Sequence, residues 1–200
     1  MTRIGEIVAT HSLGFVAESF TLHQPPALGS LVKAPLMAGG EALAVVCFGE
    51  TVGLQPGRRA LRRSDEAVYD SAIYQEHPEL VHTIRTEFQA VLVGWQEEGG
   101  VPRQVLPPQP PPLHYSVVAC TPEEVRAFTE RLDYFRLLLA AETPLPSEQL
   151  LAAHIRRAYG DRGKDGVWLR RAAREVARLL KEEYDRLATV LSGIAPEGGN

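Results

Sequence analysis

Residues 106–113 read Leu106-Pro107-Pro108-Gln109-Pro110-Pro111-Pro112-Leu113, and the hydrophobic rhythm of the chain changes across this proline strap. Upstream, short apolar runs broken by Gly and Pro read as β-strands; downstream, apolar residues recur every three or four positions over long stretches, which is helix. The chain is therefore expected to be α+β. A small antiparallel β-barrel of about six strands should occupy residues 1–112, with a charged, part-helical insertion near 58–85. A helical module of three helices should occupy residues 113–196. Pro107 and Pro110 satisfy a P-x-x-P spacing, but a stiff connector between modules is the better account of the strap.

Ile4 to Thr10 and Gly14 to Phe20 are strand-like runs joined by His11-Ser12-Leu13, a hairpin-length connection, and should pair antiparallel. A short third run, Leu31-Val32-Lys33-Ala34, precedes Ala42 to Phe48, which is apolar at nearly every position, as in a strand covered on both faces. The charged excursion from Arg58 to His82 interrupts the sheet. Strands resume at Glu87 to Gln96, where Phe88, Ala90 and Leu92 share one face and Val91, Val93 and Trp95 the other. Glu98-Gly99-Gly100 predicts a hairpin into a sixth strand at Val101 to Leu106, and His114 to Cys120 is a candidate for one more. Six short strands fit a closed barrel, which also removes exposed edges.

Beyond the strap, Thr121-Pro122-Glu123-Glu124 is a capping box with proline presetting the first turn. Val125, Phe128, Leu132, Phe135 and Leu139 form the stripe of that first helix. A second helix starts at Ser147 and carries Leu150, Leu151, Ile155 and Tyr159. The third is expected from Asp165 to Ser192, terminated by Gly193, a rod of roughly 40 Å at about 1.5 Å per residue.

Candidate chemistry is thin. Gly160-Asp161-Arg162-Gly163-Lys164-Asp165 has two residues between its glycines and no Ser/Thr after the lysine, unlike a phosphate loop, and reads as a C-cap followed by an N-cap. His77 and His82, five apart, point about 140° from each other on a helix, which is wrong for a zinc pair. Asp65, Glu66, Asp70, Glu76 and Glu79 read as a solvated acidic loop. Cys47 and Cys120 sit in apolar runs as small buried hydrophobes, and Gly-x-Ser-x-Gly is absent. No catalytic, cofactor-binding or metal-ligating residue is assigned, and the expectation is a non-enzyme without a cofactor.

The net charge of −4 gives no overall attraction to nucleic acid or anionic membrane. No run approaches the roughly 18 apolar residues of a membrane span, and the N-terminus lacks a signal-peptide core, so a cytoplasmic location is expected. Basic residues cluster at Arg58-Arg59-Ala60-Leu61-Arg62-Arg63, and again at Arg170, Arg171, Arg174, Arg178 and Lys181. Acids interleave with the second group, where Arg178 with Glu182 and Glu182 with Arg186 have ion-pair spacing. The first group is the better candidate for an anionic partner such as nucleic acid.

Several stretches, in this order, carry a family resemblance: Ile4-Gly5-Glu6-Ile7-Val8, Gly29-Ser30-Leu31-Val32-Lys33, Thr86-Glu87-Phe88-Gln89-Ala90-Val91-Leu92-Val93-Gly94, the proline strap, and Leu180-Lys181-Glu182-Glu183-Tyr184-Asp185-Arg186-Leu187. They resemble the HAS-barrel family, named for the barrel shared by HerA helicases and ATP synthase catalytic subunits. The closer likeness is to a stand-alone bacterial and cyanobacterial group in which helices follow the barrel. In the motor proteins the barrel serves assembly and docking, while ATP chemistry resides in a P-loop domain that this chain does not contain. The resemblance implies binding rather than catalysis, and the expectation is a non-catalytic adaptor docking on a protein partner, such as a P-loop ATPase or its associated nuclease, with the C-terminal helices supplying self-association or a second contact. The alternative is a nucleic-acid-binding barrel using Arg58, Arg59, Arg62 and Arg63.

Overall fold

The computed structural model describes residues 2–54, 60–64 and 67–194. Six strands, β1 (Arg3–His11), β2 (Gly14–Ser19), β3 (Leu31–Pro35), β4 (Glu41–Gly53), β5 (Ile84–Gln96) and β6 (Ser116–Ala119), form a closed antiparallel barrel in the order β1-β2-β5-β4-β3-β6. β1 and β2 pair as a hairpin from Gly5 with Ser19 to His11 with Gly14.

Period-two alternation sorts the apolar residues into two cores. Along β4, Ala42, Ala44 and Val46 face the barrel interior, while Leu43, Val45 and Cys47 face outward and pack beneath the helices. β5 repeats this with Ala90 and Leu92 inside and Val91 and Val93 outside. Both faces are buried, which is why these runs lack a polar side. Inside, alanines at 17, 34, 42, 44 and 90 leave room for the rings of Phe15 and Phe88. Gly5 makes the same room from β1: a Cβ there would stand 2.9 Å from the Phe88 ring and 2.5 Å from the Glu18 carbonyl.

The sixth strand is not Val101 to Leu106. That segment makes a single bridge, Arg103 with Trp95. Pro102 has no amide to donate, and Gln104 turns its side chain to the helical layer, donating to the carbonyls of Phe128 (2.7 Å) and Arg131 (2.9 Å). β6 closes the barrel instead, pairing with β1 and β3. The sheet thus extends past residue 112, and the strap, with Pro107 and Pro111 buried, leads into its closing strand.

The excursion before β5 holds α1 (Ala72–Glu76) and one 3-10 turn (Pro78–His82). Beyond β6 the described residues form five helices rather than three: α2 (Pro122–Phe128), α3 (Phe135–Leu139), α4 (Ser147–Asp161), α5 (Gly166–Leu179) and α6 (Tyr184–Ile194). The first expected helix breaks at Thr129, whose hydroxyl donates back to the Val125 carbonyl (2.7 Å) while its own carbonyl accepts from the Trp168 indole (2.8 Å). The expected long rod breaks after Leu180. Gly193 does not terminate α6 but brings it against α4, where a Cβ would meet that of Ala152 at 2.8 Å. The caps stand as expected. Glu124 N donates to Thr121 Oγ1 (3.3 Å) and Thr121 N to the Glu124 carboxylate (2.8 Å), while Asp165 accepts from the amides of Val167 and Trp168.

Candidate functional site

Three polar assemblies join the barrel to the helices or brace the helices themselves. Lys33 on β3, only 3% exposed, is 2.9 Å from Glu41 and 2.6 Å from Glu124. Burial opposes its charge, but its hydrogen bonds to Glu124 and Glu41 outweigh that and raise its pKa. For Glu124 burial likewise favours the neutral form, and donation from Lys33 and from Thr121 N holds it below the usual carboxylate range. The clamp ties the β3–β4 hairpin to the start of α2.

His154 on α4 is buried, with Nδ1 2.7 Å from the Gly29 carbonyl and Nε2 2.7 Å from the Tyr134 hydroxyl. A carbonyl only accepts, so Nδ1 carries the proton and Nε2 accepts from Tyr134. Burial lowers the His154 pKa to about 4 and pushes the Tyr134 phenol well up. Gly29 has φ +80°, and a Cβ there would stand 2.6 Å from the Ala153 backbone, so glycine alone permits this approach.

Arg162 is the third hub. Its Nη1 donates to the Arg126 carbonyl (2.9 Å) and Thr129 Oγ1 (3.0 Å), and its Nη2 to Glu130 (3.2 Å) and Asp165 (3.3 Å). The guanidinium also stands 5.1 Å from the centre of the Trp168 ring. Sequence reasoning missed Arg162, Tyr134 and His154 as organising residues, because their partners lie far away along the chain.

The residues weighed for chemistry are mostly dispersed. Cys47 is buried, its thiol pushed up to about 11 by burial, and burial raises Cys120 further still. Gly163 and Lys164 adopt positive φ between the end of α4 and the Asp165 cap, fitting the cap-to-cap reading. His77 contacts Glu79 at 3.5 Å. Among the described residues no group of three or more His, Cys, Asp or Glu is placed to hold a metal. No helix among them is long and apolar enough to cross a membrane. Arg58, Arg59, Asp65, Glu66 and the end of the helical module at 195–196 lie outside the described residues.

Two concavities gather several of the others. A hollow of about 600 Å³ lies where the β4–β5 ribbon meets the excursion, with Leu54, Leu61, Ile73 and Leu80 as its apolar lining and Arg63, Glu79 and His82 as polar groups. A cleft of about 470 Å³ lies between the α2–α3 loop and α5, lined by Glu130, Arg131, Asp133, Arg171, Arg174, Glu175 and Arg178 around Leu132. Arg171 bonds Glu130 through its carboxylate (2.7 Å) and carbonyl (2.8 Å), Arg131 bonds Asp133 (2.6 Å), and Arg178 bonds Glu175 (2.8 Å). Arg171 first, then Arg162, holds Glu130 below the usual carboxylate range. Arg174 has no ion pair among the described residues. The pairs expected at Arg178–Glu182 and Glu182–Arg186 do not form, because the break after Leu180 ends the helical spacing. Arg186 bonds Glu183 (2.6 Å) and Glu148 instead, and Glu182 meets Lys181.

On the barrel, no residue of β1 or β2 belongs to the core beneath the helices. That wall and its hairpin turn expose Val8, Leu13 (60%) and, just past β2, Phe20 (57%). The chain matches no protein-family model and no curated protein.

Proposed function

We propose that this chain is a non-catalytic adaptor of the HAS-barrel kind, working in the cytoplasm, whose barrel docks on a protein partner. The partner class implied by the sequence resemblance is a P-loop ATPase or its associated nuclease. One observation carries the reading: the barrel interior is filled by apolar side chains and its β3–β4–β5 side is roofed by helices, so recognition falls to the outer β1–β2 wall. Phe20 offers that wall an aromatic anchor of the kind enriched at interfaces, and the exposed Leu13 adds apolar surface. The C-terminal helices add a surface for self-association, with Tyr184 79% exposed at the start of α6. The test is affinity capture from the native host, comparing the wild type with a Leu13→Glu, Phe20→Glu variant. A stoichiometric protein should be recovered by the first and lost with the second; a wild type that recovers none counts against the adaptor role.

A second reading, nucleic-acid binding through Arg58–Arg63, draws support from Arg62 and Arg63 standing exposed, Arg63 at the lining of the ribbon hollow. It expects a salt-dependent shift with single-stranded DNA or RNA that disappears in an Arg62→Ala, Arg63→Ala variant.

A further inference from the structure

We propose that the cleft between the α2–α3 loop and α5 receives a carboxylate side chain from an acidic peptide segment of a protein partner, gripped by Arg174. This rests on the adaptor reading and names the chemistry of one of its contacts. Arg171, Arg174 and Arg178 are spaced i, i+3 and i+7, so their side chains rise along one face of α5. The two outer arginines are already engaged with carboxylates of this chain, whereas Arg174 between them has no ion pair among the described residues. A guanidinium flanked in this way presents its donor fork for bidentate capture of a carboxylate.

The opposite wall is built in advance. Trp168 holds the Thr129 carbonyl, Gln104 holds those of Phe128 and Arg131 and accepts from the Tyr134 amide (3.3 Å), and Arg162 holds Glu130. An irregular loop fixed at so many points loses little freedom when a ligand arrives.

Charge selects the occupant. Four arginines face three carboxylates in the cleft, an excess of one positive charge. One carboxylate satisfies that excess. A nucleic-acid strand brings a run of phosphates needing many cationic contacts, and here would press against Glu130, Asp133 and Glu175; the lining also has no aromatic ring on which a base could stack.

The test is fluorescence anisotropy on the full chain with a labelled glutamate-rich peptide, and in parallel with a phosphoserine peptide and oligo(dT). The wild type should bind the acidic peptide with an affinity that falls as salt rises. Arg174→Ala should weaken it about tenfold, the cost of one charged hydrogen-bonding partner, Arg174→Lys should weaken it less, and Arg136→Ala, outside the cleft, should leave it unchanged. Absence of peptide binding at low salt, equal binding by Arg174→Ala with an unaltered melting curve, or tighter binding of oligo(dT) or the phosphopeptide would overturn the proposal. Affinity capture separates the two levels: a partner that Arg174→Ala still retains, but Leu13→Glu with Phe20→Glu loses, leaves the adaptor role standing and removes this cleft from it.

Discussion

The two cores are held in place by different physics. Within the barrel, backbone ladders between six strands set the register, and closure leaves each strand a neighbour on both sides, so the interior needs only to be filled with side chains of suitable volume. It is filled by Phe, Leu, Ile, Val and Ala. The helical layer has no ladder between its elements, and α2 and α3, at seven and five residues, are too short to persist alone. There, buried or half-buried polar side chains reach into backbone carbonyls: Trp168 to Thr129, Arg162 to Arg126, the half-buried Gln104 to Phe128, His154 to Gly29. Where secondary structure does not fix neighbours, directional side-chain bonds do so, and their burial makes each one costly to lose.

Changes at the junction test this contrast most severely. Gly29→Ala combines a strained φ with a collision against the α4 backbone, and should destabilise by about 4 kcal/mol or more in urea unfolding. A loss below about 1 kcal/mol would show that α4 can retreat from the barrel. Next, Arg162→Ala empties a hub with four partners and should destabilise by about 3 kcal/mol. Hydrogen exchange should then rise first in the α2–α3 loop, not in the barrel; uniform loosening would erase the distinction between the two regions.

His154 supplies a pH-dependent contribution. Its folded pKa of about 4 lies below the ordinary 6.5, so the neutral imidazole is the form that folding favours and its contribution is complete above pH 6.5. As pH falls below 6.5 the unfolded chain takes up a proton that the folded chain refuses. Stability should therefore decline by about 3 kcal/mol until pH reaches about 4, then level off for this group. His154→Gln, which keeps a donor and an acceptor without titrating, should flatten the profile across that window; an unchanged slope would assign the effect elsewhere. The smallest change belongs to Lys33→Met. Glu41 and Glu124 are partly exposed and can turn to water, so an apolar side chain of similar length should alter stability by only about 1 kcal/mol either way.

The barrel was legible in the sequence where alternation and turns agreed. The β1–β2 hairpin, the two-faced apolar run of β4 and the faces of β5 all follow from spacing alone. Val101 to Leu106 was misleading because its apolar residues mimic a strand, while Pro102 and the inward turn of Gln104 act through groups that hydropathy does not count. The helix breaks at Thr129 and after Leu180 were hidden for a related reason. Phe128 and Phe135, and Leu180 and Val190, lie in the same core, so the apolar stripe continues across each interruption. Of the arginine cleft, the α5 wall was visible as Arg171, Arg174 and Arg178. Glu130, Arg131 and Asp133 reach it only through tertiary packing, which also decides which arginine is left without a carboxylate.

Because β6 follows the strap, β1 must wait for a partner that the ribosome delivers late. At about 5–20 residues per second, Arg3 leaves the ribosome on the order of ten seconds before Val118, its mate in the ladder. Throughout that interval the nascent sheet has an open seam, and the last strand to emerge is followed at once by Thr121 and α2. Sealing the cylinder thus comes directly before the first element of its helical roof, with α3 to α6 emerging afterwards.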